Sequence, residues 1–150
     1  PGGRPVTATA LSDGFADAPV QAARAFRQIL EAMARPGTIR EVSGVSPPDP
    51  LSIAAGVVLL TLVDPTTTLH LAGATDAPGV REWVAFHLGA PLVPAEEADF
   101  ALGSWDALQP VTRFRIGQPD YPDRSATLIV EMERLVNHGP ALAGPGIELA

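Results

Sequence analysis

Between Pro19 and Arg35 the apolar residues Phe26, Ile29, Leu30 and Met33 recur at i, i+3, i+4 and i+7. That spacing predicts one stripe of an amphipathic helix, of the kind a helix turns towards a core. Arg24, Arg27, Gln28, Glu31 and Arg35 populate the opposite face, Asp17 stands where an N-cap is expected, and Pro36-Gly37 is a stop signal. From Leu51 to Val63 the run is apolar on nearly every side, interrupted only by Ser52 and Thr61 and bounded by Pro50 and Asp64. It falls short of the roughly 20 residues that a bilayer requires. A buried helix, covered on most sides, is expected.

Further along, Thr38 to Val42 predicts a short strand, and Thr67 to Ala72 alternates as a strand does. Val80 to Leu88 predicts a helix with Val80, Trp83, Val84, His87 and Leu88 on one face. Ala98 to Leu102 reads as a strand and Ser104 to Leu108 as a short helix, followed by a polar loop from Gln118 to Arg124. Thr127 to Leu135 is the strongest strand signal, and its unbroken apolar start suggests a sheet covered on both faces. Ala141 to Leu149 suggests a last strand, bent at Gly144-Pro145-Gly146. Helices alternating with strands predict an α/β layered fold. A single domain over residues 17–150 is expected, after a mobile arm over residues 1–16.

Composition narrows the chemistry. The 150 residues carry a formal net charge of −7, which disfavours nucleic acid and anionic membrane surfaces as partners. There is no cysteine, so thiolate metal sites, iron–sulfur ligation and a cysteine nucleophile are excluded from this stretch. All ten basic residues are arginine. Without lysine there is no internal Schiff base and no Walker-type phosphate lysine. No signal-peptide core stands at the start, and a soluble cytoplasmic protein is the expectation.

Four stretches, in order, carry a family resemblance. They are F-R-Q-I-L-E-A-M-A-R-P-G from Phe26, V-L-L-T-L-V-D from Val58, F-H-L-G-A-P-L-V from Phe86 leading into A-D-F, and Y-P-D-R-S-A-T-L from Tyr121 followed by G-P-G-I at Gly144. Together they resemble the PhnH family, subunits of the bacterial carbon–phosphorus lyase system. The resemblance implies a three-layer α/β sheet with helices on both faces, like that of pyridoxal-phosphate-dependent transferases but without the cofactor. It also implies homodimers that join sister subunits of the G, I, J and L type. Together these couple a phosphonate to the ribose of ATP with loss of adenine, ATP and magnesium serving the complex. Family members continue past G-P-G-I with a further helix and strand, a part not seen in these residues.

The candidate site residues each carry two readings. Arg27 is either an i, i+4 partner of Glu31, itself facing Arg35, or an anion contact. Arg124, beside Asp123 and Ser125 where a loop meets a strand, suits a phosphoryl oxygen or pins its own loop through Asp123. His87 is an acid/base candidate or a core or interface histidine, and the helix carrying it with Trp83 and Val84, or the Leu51 to Val63 helix, is a candidate dimer contact. No catalytic residue is assigned. His70, His87 and His138 lack ligand spacing, so no metal site is expected. Glu131 and Glu133 share a strand face and are expected to meet solvent or a polar rim. Two other function classes stay open: an independent small-molecule enzyme using His87 and Arg124, and a ligand-sensing module.

Overall fold

The computed structural model describes residues 14–145 and residue 147. Seven main elements follow in chain order: α1 (Ala18–Ala34), α2 (Ile53–Leu62), β1 (Leu69–Leu71), α3 (Pro78–His87), β2 (Phe100–Ser104), α4 (Trp105–Leu108) and β3 (Thr127–Glu131), joined by 3₁₀ turns. The three strands form one parallel sheet in the order β1-β2-β3. Leu92 adds a single parallel bridge beside Leu69 on the far side of β1.

The register sorts the side chains into two cores. Leu69 and Leu71 pair with Phe100 and Leu102, and Phe100 and Leu102 pair in turn with Thr127 and Ile129. Because side chains alternate along a strand, these residues share a face. All but the exposed Thr127 pack with Val57 and Leu59 of α2 and with Val80, Trp83 and Val84 of α3 in the larger core. The opposite face holds Ala101, Leu108 of α4 and Phe114, with Leu128 and Val130 packed against them. Gly103 lets β1 come close there, since a Cβ at this position would lie 2.9 Å from that of Ala72.

Local chemistry explains the element ends. Ser52 and Ser104 cap α2 and α4, each side-chain oxygen accepting from the backbone N–H three residues on. Asp17 occupies the N-cap of α1 but makes no capping bond through its carboxylate, and Gln21 instead accepts from the Asp17 N–H. Asp64 ends the segment after α2 by accepting from both the N–H and the hydroxyl of Thr66.

Several expectations need correction. Residues 38–42 form no strand; this segment crosses α1 as an irregular connection, tied to the helix by an Arg40–Glu31 ion pair of 2.8 Å. Strand β3 stops at Glu131 and its residues stay partly exposed, because among the described residues it is the edge strand of the sheet. No strand forms over residues 141–145, and the rest of that expected strand lies largely outside the described residues. Of α2, only Ala55, Gly56, Val57 and Leu59 are buried, while Ile53 and Ala54 face outward. Residues 1–13 of the expected arm also lie outside the described residues, whereas Phe15 packs against the larger core.

Candidate functional site

The helix α1 turns its apolar stripe the wrong way for a core residue set. Its one buried residue is Ala25, whereas Phe26, Leu30 and Met33 are 50%, 54% and 65% exposed. The cause is the small-residue and amide face Gln21, Ala25, Gln28 and Ala32, which meets the rest of the chain and allows close approach. At 100° per residue Arg27 is the arginine nearest the exposed stripe, about 60° from Leu30, whereas Arg24 turns towards the inward face with Gln21, Ala25 and Gln28. On the other edge of the stripe an apolar groove of about 290 Å³ is lined by Ile29, Met33, Ile39, Val58 and Leu135.

This placement changes the reading of Arg27. Glu31 is engaged by Arg40 across the connection, so the expected Arg27–Glu31 helix pair is not what holds Glu31. Arg27 is exposed beside the stripe. Arg124 lies in a 3₁₀ turn, Pro122–Arg124, before β3, and its guanidinium stacks over the Tyr121 ring at 3.9 Å. No pair with Asp123 forms. Ser125 is exposed and donates its backbone N–H to the Pro122 carbonyl.

His87 is half-buried at the end of α3, its ring 5.2 Å from that of Trp83 and 4.9 Å from that of Phe86. Trp83 and Val84 have no exposure at all, so of the three residues expected near a dimer contact on this helix only His87 keeps any surface. Arg27, His87 and Arg124 thus sit on three different elements, and Arg124 is engaged by Tyr121.

Other polar groups converge more closely. Asp99 accepts from the backbone N–H and hydroxyl of Thr68, at 2.8 and 3.0 Å, and from Arg115. Burial works against its charge, but the Thr68 N–H, Arg115 and the Thr68 hydroxyl outweigh it and hold the carboxyl below the ordinary value. Glu131, expected to meet solvent or a polar rim, accepts from the Ser52 N–H at 2.8 Å.

At the carboxyl end of β1 a cleft of about 260 Å³ gathers His70, Asp76 and Arg81 against Leu92, Val93 and Pro94. Arg81 holds Asp76 through two bonds, Nε to Oδ1 at 2.5 Å and Nη2 to Oδ2 at 3.0 Å. That hydrogen bonding keeps Asp76 below the ordinary carboxylate value. His70 Nδ1 lies 2.9 Å from the Val93 carbonyl oxygen. Sequence reasoning counted His70 as a scattered histidine. The available signal was the order strand, short turn, Asp76, helix carrying Arg81, since ligands of parallel sheets collect beyond the carboxyl ends of strands.

Among the described residues no group of three or more His, Asp or Glu could hold a metal ion, and no helix is long and apolar enough to cross a membrane. The parallel sheet, its helix-covered face and the polar cleft at its edge define a layered α/β protein. A family model described as bacterial phosphonate metabolism protein (PhnH) matches residues 13–150, and the chain belongs to that family. It is 40% identical over 141 residues to the alpha-D-ribose 1-methylphosphonate 5-triphosphate synthase subunit PhnH of Rhizobium meliloti (strain 1021), covering 91% of this chain and 70% of that relative.

Proposed function

We propose that the chain works as a subunit of a synthase that forms ribose 1-phosphonate 5-triphosphate from ATP and an alkylphosphonate, in the cytoplasm, during phosphonate breakdown. The observation that carries this is the 40% identity to a subunit of the synthase named for that product. The exposed stripe of α1 supports it, because an aromatic, leucine and methionine on one open helix face match the composition of subunit contacts.

The partner on α1 is a sister subunit presenting an apolar ridge flanked by carboxylates. Arg27, exposed beside the stripe, sets that chemistry. A homodimer, which family membership suggests, uses a different face and leaves α1 open to the sister subunit. The fold is that of the pyridoxal-phosphate transferases without the cofactor, consistent with a stretch that holds no lysine for an internal aldimine. ATP and magnesium enter as substrate and ion of the whole complex, and the isolated chain does not release adenine from ATP and methylphosphonate.

Deleting the gene from its own genome tests the proposal. The expected result is no growth on methylphosphonate as sole phosphorus source, with growth on inorganic phosphate intact and rescue by the reintroduced gene. Unimpaired growth of the deletion strain on methylphosphonate would contradict it.

A further inference from the structure

The cleft beside β1 is built from three groups whose hydrogen-bonding capacity is only partly used. A carbonyl oxygen can only accept, so His70 Nδ1 must carry the proton that it shares with Val93. In the neutral ring this leaves Nε2 as an acceptor, with no partner among the described residues. Asp76 spends one lone pair on each oxygen in binding Arg81 and keeps the others. Arg81 uses Nε and Nη2 on Asp76, and its Nη1 has no partner among the described residues.

The cleft therefore offers two acceptors and one cationic donor within one concavity. A ligand matched to that set donates through hydroxyls and presents one anionic oxygen. Its size adds a limit, because about 260 Å³ lies below the roughly 300–1,000 Å³ typical of sites for drug-sized molecules. A sugar phosphate is closer to that size than a whole nucleotide.

We propose that this cleft binds a ribose phosphate group, with Arg81 donating to a phosphate oxygen and His70 Nε2 and Asp76 accepting from ribose hydroxyls. This rests on the synthase reading above and assigns to this chain a contact with the ribosyl part of the substrate or product. Because Asp76 already neutralises Arg81, the phosphate gains directed hydrogen bonds more than net charge. Affinity for the isolated group is accordingly expected to be weak, with a Kd of about 1 mM.

The probes are ribose 5-phosphate, ATP, ribose and inorganic phosphate, titrated into the isotopically labelled chain and followed by NMR. Saturable shifts at His70, Asp76 and Arg81 are expected with ribose 5-phosphate. ATP giving the same shifts would assign the group to a nucleotide whose base stays outside the cleft. ATP giving none would assign it to a sugar phosphate without a base. Arg81→Lys, which keeps the charge but loses the fork, should weaken ribose 5-phosphate about tenfold. His70→Ala should weaken ribose 5-phosphate by a similar factor and leave inorganic phosphate unchanged. Unaltered backbone spectra of both variants establish that they fold. No shift at these residues, or equal affinity for inorganic phosphate and ribose 5-phosphate, would overturn the site. Co-purification of the wild type with sister subunits separates the two ideas: a wild type that assembles but does not bind ribose 5-phosphate defeats the cleft alone, and failure of the wild type to assemble defeats the subunit reading.

Discussion

The carboxylate of Glu131, at the end of β3, accepts a hydrogen bond from the backbone N–H of Ser52, at the start of α2, across 79 positions of sequence. Ser52 in turn accepts from the Ala55 N–H, so two of the otherwise unpaired donors at this helix start are satisfied in series. A negative group at a helix N-terminus is also favoured by the helix dipole. Glu131→Ala should destabilise the chain by about 1 kcal/mol, and Glu131→Gln by less, because the amide keeps an acceptor. Urea unfolding midpoints at constant slope provide the check. Equal stability of Glu131→Ala and wild type would mean that β3 and α2 are not joined through this bond.

Asp99 predicts a specific acid sensitivity. Its folded pKa is depressed below the ordinary value of 3.8, despite burial, by Thr68 and Arg115. The unfolded chain therefore takes up the proton first as pH falls. The stabilisation is present above about 3.8 and is lost as pH drops through the lower folded value. Asp99→Asn should be less stable than wild type at pH 6, and the difference should shrink on acidification below that range. A difference that stays constant from pH 6 to pH 3 would count against the ionised carboxylate as the stabilising species.

The stripe of α1 separates stability from association. Leu30→Ser and Met33→Ser remove apolar groups that already face outward, so their effect on folding should stay within about 0.5 kcal/mol. Leu59→Ala, in the fully buried part of α2, should cost about 2–5 kcal/mol. Thermal unfolding of the three variants distinguishes these classes. Large losses for the two serine variants would show that the stripe is covered within the folded chain.

The fold was legible where periodicity and burial agree. The expected helix near Val80 turns Val80, Trp83, Val84 and Leu88 inward, as its spacing requires. Strands β1 and β2 fall on alternating or apolar runs, and β3 occupies the first part of its run. Periodicity failed at α1, since it reports that an apolar face exists and cannot say whether the same chain covers it. The candidate site was less legible still. His70, Asp76 and Arg81 meet only because the turn after β1 and the segment at Val93 fold towards one another, a juxtaposition with no local spacing rule. Arg124 was singled out for its loop position, and the nearby Tyr121 ring, three residues earlier, is what it engages.

Assembly is measured most simply by co-expressing the tagged chain with sister subunits of the synthase and weighing the eluted species by light scattering. Wild type should elute in a defined multi-subunit complex, and Leu30→Ser with Met33→Ser should elute as the folded chain without sister subunits. A wild-type chain that elutes without any sister subunit, while those subunits assemble among themselves and form the ribosyl phosphonate product at full rate, would contradict the proposed role.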